Sequence, residues 1–204
     1  MINIIYTTLL FNILIIAFKL FDRYNVNNLQ ALTANYVTAA FLSFFFVKID
    51  FSFNEVLQSD WILHAFSIGT LFIIVFYLYS IGIQKAGISI TTIANKMSLI
   101  IPVSAALLLY PENNSIDILK IIAFFLAILG IYLATTDVGK LKINRKYLWL
   151  IIFVFLGQGI SDAIFNDFAQ RFSNLLDSSS FLFFMSLFIS ASISGLIIIF
   201  LMDK

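Results

Sequence analysis

The sequence predicts an all-α membrane protein, a polytopic helical bundle of about seven transmembrane helices. Three observations carry that reading. Of the 204 residues, 61% are apolar and only 11% charged, whereas soluble domains carry about 25% charged residues. A mean hydropathy of +1.02 leaves too few polar side chains to coat a water-facing surface. The apolar residues also fall in continuous runs near the ~20 residues a helix needs to cross hydrocarbon. Barrel strands would be shorter and strictly alternating, so helices, which satisfy their backbone polar groups internally, are the remaining way across.

The first run, Ile2–Phe21, lacks the basic start and small-residue cleavage site of a signal peptide and has the length of a span, so it reads as a retained helix. Leu29–Val47, Ile62–Gln84, Ile88–Tyr110, Ile116–Thr136, Tyr147–Ala169 and Ser179–Met202 follow. All connections are short. The longest, Lys48 to Trp61, holds Asp50, Asn54, Glu55 and Asp60. The most polar is TTDVGKLKINRK, Thr135 to Lys146, which marks an internal boundary with five spans before it and two after. In short loops the Lys/Arg bias sets orientation. Lys19, Arg23, Lys85, Lys140, Lys142, Arg145 and Lys146 fall on one side, against Lys48, Lys120, Arg171 and Lys204 on the other, which favours an outside N-terminus.

Composition excludes several classes. A net charge of +1 gathers no nucleic acid. With no Cys there are no disulfides, thiolate metal sites or Cys nucleophiles, and the single His64 forms no His cluster. No HExxH-like spacing, acidic loop pair or phosphate-binding loop is present, so neither an enzyme nor a cofactor is expected. The expected partners are the lipid bilayer and a small-molecule substrate.

The chemistry concentrates in two spans. In span four, Thr91, Asn95, Ser98 and Pro102 share one helical face, flanked by Thr92 and Lys96. A cation inside a span costs roughly 2.5–3.5 kcal/mol on insertion scales and marks a candidate functional site. This face reads either as the polar wall of a substrate cavity, with Pro102 loosening the backbone, or as a hydrogen-bond cluster that fastens the bundle. In span six, Gln158, Asp162 and Asn166 form a stripe at intervals of four, beside Gly157, Gly159 and Ser161. An acid at this depth must be protonated, paired or wetted. Asp167 and Arg171 are placed for an i,i+4 ion pair, and Lys19 for snorkelling. Asn35 and Tyr36 in span two, and Tyr77 and Tyr79 in span three, could reach a cavity or simply pack. Trp61 and His64 read as an interfacial anchor. Ser186, Ser190 and Ser194 form a small-residue stripe suited to tight helix packing.

The stretch AGISITTIANKMSLIIPVSAALLLYPENNSIDILKIIAFFLAILGIYLAT, Ala86 to Thr135, resembles the fourth and fifth helices of an EamA repeat of the drug/metabolite transporter superfamily. Gly130-Ile131-Tyr132-Leu133 resembles the usual repeat ending, Glu112 the acidic residue past the fourth helix, and Pro102 the mid-span proline. The resemblance implies two five-helix repeats of opposite orientation around a central cavity, with alternating access. It assigns residues 1–136 to the first repeat, 137–146 to a basic inter-repeat loop, and 147–204 to a partial second repeat of two helices. It also implies a multi-pass protein of the bacterial inner membrane, usually with an inside N-terminus, against the charge count. Within that architecture Asp162 either faces Lys96 across the repeat interface, where the two would bind a polar substrate or carry a proton, or belongs to a structural ion pair or a site shared with water. The expected substrate-binding residues are then Asn95, Lys96, Thr92, Ser98, Gln158, Asp162, Asn166 and Tyr36. The family's last three helices are absent from this sequence. A truncated chain, a structural fragment without transport activity, and a half-transporter that assembles as a homodimer are all open.

Overall fold

The structure, a computed structural model, describes residues 2–47, 50–112 and 145–202, with 117–119, 121–122, 125–126 and 129 between them. Its elements are α1 (Ile2–Arg23), α2 (Asn28–Phe46), the short α3 (Phe53–Leu57), α4 (Ile62–Lys85), α5 (Ile88–Met97), α6 (Ile100–Leu109), a 3-10 turn Arg145–Tyr147, α7 (Leu148–Arg171) and α8 (Ser173–Met202). No strand occurs among the described residues. Among the described residues, six stretches are long and apolar enough to cross a bilayer: Ile4–Arg23, Asn28–Phe46, Ile62–Lys85, Ile88–Leu109, Leu148–Arg171 and Ser180–Met202. They match six of the expected spans to within a few residues. The other expected span, Ile116–Thr136, lies largely outside the described residues. The bundle is apolar on its outside, where Ile4, Leu10, Phe45, Leu108 and Phe200 are all exposed. This is the surface a lipid-facing protein needs, and the chain is a multi-pass helical membrane protein.

Local chemistry sets the helix ends. Asn27 caps α2, its side chain accepting from the N–H groups of Leu29 (3.0 Å) and Gln30 (3.2 Å). Asn25, in the same turn, takes a positive φ of 53°, a region Asn tolerates. Only Ala86 and Gly87 separate α4 from α5. The N–H groups of both bond the Gly82 carbonyl (2.8 and 3.0 Å), and Gly87 has φ +108°, which only glycine adopts without strain.

Contacts at the two ends fix the topology. At one end the Gln84 amide of α4 exchanges hydrogen bonds with Asn28 of α2 (2.9 and 3.0 Å) and donates to the Phe18 carbonyl of α1 (3.0 Å). At the other, Phe46 of α2 stacks on Phe181 of α8 (5.2 Å), and Trp61 meets Phe183 (6.0 Å). We call these the Lys85 end and the Arg171 end. α7 runs antiparallel to α4, since its Gly157 lies against Val75 and its Asp167 against His64. It runs parallel to α6, since Gly159 lies against Ile101 and Asp167 against Tyr110. α6 therefore ends at the Arg171 end and α7 begins at the Lys85 end.

α4 and α8 form the centre. Gly69 brings them together: a Cβ there would meet the Leu187 carbonyl, Ser190 and the Ala191 backbone. Ser190 donates to the Phe66 carbonyl (3.0 Å), and Thr70 meets Ser194 (3.0 Å), so the small-residue stripe of α8 is a polar zipper. α2 packs along the next face of α8, with Thr33 against Gly195 and Tyr36 stacked on Phe188 (6.1 Å). α1 lies at the periphery and holds α4 through Phe18, which meets Phe76 and Tyr79.

Candidate functional site

Span four is two helices. α5 ends at Met97 and α6 begins at Ile100, with a turn at Ser98–Leu99 between them. The cause is Pro102. It has no N–H to give the Ser98 carbonyl, and its ring crowds that group. Ile101 N–H takes the Ser98 carbonyl instead (2.9 Å), and Leu99 N–H shifts to the Lys96 carbonyl (3.4 Å). The Asn95 carbonyl, which Leu99 would serve in a regular helix, is served by the Ser98 hydroxyl (2.6 Å). Ser98 thus repairs the break that Pro102 causes.

Of the predicted face, Thr91, Asn95, Ser98 and Pro102 are all buried. Thr91 packs on Gly82 and bonds back to the Gly87 carbonyl (2.8 Å). These residues fasten α5 and α6 to the bundle. The flanking pair looks elsewhere. Thr92 bonds the Tyr79 hydroxyl (3.2 Å). Lys96 stays exposed on the flank of α5, its ammonium 3.8 Å from the ring centroid of Phe11 on α1. Asp162 of α7 accepts from the Gln158 amide (2.9 Å). Lys96 and Asp162 are within electrostatic reach of each other but do not touch as an ion pair. Lys96 thus stands between Phe11 of α1 and the side of α7 that carries Asp162 and Gln158, with Thr92 on the same helix as Lys96. Asn166 continues the α7 stripe, half-buried. Tyr36 stands apart, buried between α2 and α8.

A second cluster lies at the Arg171 end. Asp167 Oδ2 is 2.8 Å from His64 Nε2 on α4, while Oδ1 accepts from the Tyr110 hydroxyl at the end of α6 and from Arg171 Nε (3.0 Å). Arg171 Nε also reaches the Tyr110 hydroxyl (3.0 Å). The expected Asp167–Arg171 pair is present. The anchor reading of Trp61 and His64 is corrected: Trp61 is buried against Phe183, because α8 covers it, and His64 is the cross-helix partner of Asp167. A cleft of about 440 Å³ opens beside this cluster, walled by Leu63 and Ser67 of α4, Ile101 and Ala105 of α6, and Ile160 and Ile164 of α7. Asp162 and Asp167 are five residues apart, about 140° on a helix, so Asp162 and the cleft lie on different sides of α7. Among the described residues no group of three or more His, Asp or Glu gathers to hold a metal ion.

Sequence reading had not paired His64 and Tyr110 with Asp167, nor Gln84 with Asn28. The signal was available in the alternation of spans, which puts the start of span three and the ends of spans four and six at one end of the bundle. The same alternation puts Gln84 and Asn28 together at the other.

No family model matches the chain, and no solved structure matches it. It is similar to a protein of Haemophilus influenzae described as uncharacterized, 31% identical over 174 residues. That match covers 82% of this chain and 59% of the relative, so the chain spans less than two thirds of the relative's length.

Proposed function

We propose that the chain is the membrane body of a secondary carrier of the EamA, drug/metabolite transporter kind, moving a small metabolite across a bacterial inner membrane by alternating access. The observation that carries this reading is Lys96 standing exposed in mid-span within electrostatic reach of Asp162. An exposed cation at that depth is costly in lipid, so the groove that holds it is wet. A wet groove carrying one fixed cation, one acid and two hydrogen-bonding neighbours, Gln158 and Thr92, suits a polar solute.

Two features of the fold support the reading. α1 runs from the Arg171 end to the Lys85 end and α7 runs the opposite way, as the first helices of two inverted repeats would. Span four is discontinuous beside its charged residue, a recurrent arrangement at transporter binding sites. The wider length of the Haemophilus influenzae relative leaves room for a fuller second repeat in a protein of that kind.

The test is an uptake screen in vesicles comparing the wild type with Lys96→Ala and Asp162→Asn. The carrier reading expects at least one small metabolite whose uptake both variants lose by tenfold or more. Uptake unchanged by both substitutions would remove the groove from the transport path.

A further inference from the structure

We propose that α6 is a gate arm, hinged at Ser98–Pro102 and latched by Asp167, which closes the cleft at the Arg171 end. The inference rests on the carrier reading for its biological purpose, but its geometry stands separately. The hinge is the helix break itself. With the regular hydrogen bonds to the Asn95 and Ser98 carbonyls replaced by a hydroxyl contact and a shorter-range bond, α5 and α6 are joined by a turn and not by a continuous ladder. The latch sits eight residues beyond Pro102. Tyr110, the residue that ends α6, donates its hydroxyl to the Asp167 carboxylate, which His64 of α4 and Arg171 of α7 also hold. One carboxylate therefore ties together the ends of three membrane segments.

Between hinge and latch, α6 lies over the cleft, contributing Ile101, Ala105 and Leu109 to its wall. Ile101 closes the inner end. It presses on Gly159 so closely that a Cβ at that glycine would lie 2.9 Å from the Ile101 Cβ. Gly159 lies on α7 between the side that lines the cleft and the side that carries Asp162. Rotation of α6 about Ser98–Leu99 would lift Ile101 from Gly159 and widen the cleft toward the groove, and Tyr110 would have to leave Asp167 for that to happen.

The wall of the cleft also holds a polar atom that this arrangement does not satisfy. His64 Nδ1 is buried without a hydrogen-bond partner. Such an atom is costly in a closed interior, and opening the cleft would give it access to water. The closed arrangement is thus held by the latch against a local penalty, which is the energetic form of a two-state element.

The sequence has no cysteine, so a single reporter can be read cleanly. The experiment places Ala105→Cys in the full chain, in vesicles of known orientation, and follows its reaction with a membrane-impermeant maleimide supplied from the Arg171 face. Latch variants Tyr110→Phe and Asp167→Asn are expected to raise the labelling rate fivefold or more, and Pro102→Ala, which restores a continuous ladder, to lower it. Tyr110→Phe removes one hydroxyl, so it reports even if Asp167→Asn does not fold. Asn54→Cys, exposed on α3 at the Arg171 end and outside the spans, is the control, and its labelling should be equal in all backgrounds. Equal labelling of Ala105→Cys in wild type and Tyr110→Phe would overturn the gate. Labelling needs no transported substrate, so failure here and failure of the carrier reading are distinguishable.

Discussion

Asp167 of α7 lies 2.8 Å from His64 of α4 across the helix interface, and the same carboxylate takes a hydrogen bond from Tyr110 of α6. Removing it leaves His64 and Tyr110 without their acceptor in a site that Phe168 and Phe172 line. Hydrogen bonds to a charged group contribute about 1.5–3 kcal/mol each. Asp167→Ala should therefore destabilise the bundle by on the order of 2–4 kcal/mol. Arg171, mostly exposed, should cost much less when truncated. Thermal melts of the two variants in detergent check the order, and a larger loss for Arg171→Ala would contradict it.

The close approach at Gly69 differs in kind from the one at Gly157. At Gly69 an added Cβ meets backbone, including the Ala191 nitrogen at 3.0 Å; at Gly157 it meets only the Val75 side chain, whose Cγ2 lies at 2.6 Å. Backbone cannot rotate away, whereas a side chain can give. Overpacking costs about 1–3 kcal/mol. Gly69→Ala should lie at or above the top of that range and Gly157→Ala near its bottom. Equal melting temperatures for the two variants would refute the distinction.

Gln84 and Asn28 hold each other by two reciprocal amide bonds and so join α2 to α4. Hydrogen bonds between membrane helices contribute about 0.6 kcal/mol on average and up to ~1.7. A double-mutant cycle of Gln84→Leu and Asn28→Leu should yield a coupling of about 1 kcal/mol. A coupling indistinguishable from zero would mean the pair does not form.

Ser98 is needed only because Pro102 is there. If its hydroxyl serves the carbonyl that the break deprives, Ser98→Ala should destabilise the wild type by about 1 kcal/mol and the Pro102→Ala variant by clearly less. The difference is a coupling energy between two residues four apart. Equal costs in both backgrounds would mean the hydroxyl has no repairing role.

The helical membrane class and six span positions were legible because hydropathy and span length depend on local sequence alone. The small-residue stripe of Ser186, Ser190 and Ser194 and the Asp167–Arg171 pair were legible for the same reason: both follow from helical spacing. What spacing could not reveal was the partner across the interface. Thr70 and Gly69 face the serine stripe, and His64 faces Asp167, through the packing of α4 against α8 and α7. The polar face of span four illustrates the limit. Its residues share a side as expected, yet burial turns Asn95 and Ser98 into the bundle while Lys96, next in sequence to Asn95, is left exposed. Which flank of a helix is wet depends on its neighbours.

The proposed carrier requires Lys96 and Asp162 to border one wet groove inside the membrane bundle. Nitroxide labels at Lys96→Cys and Asp162→Cys, compared with labels at the lipid-facing Phe45→Cys and Leu108→Cys, test it most directly through collision with oxygen and with a water-soluble nickel chelate. Positions 96 and 162 should favour the chelate, and positions 45 and 108 oxygen. Oxygen preference at 96 and 162, equal to that of the two controls, would contradict it.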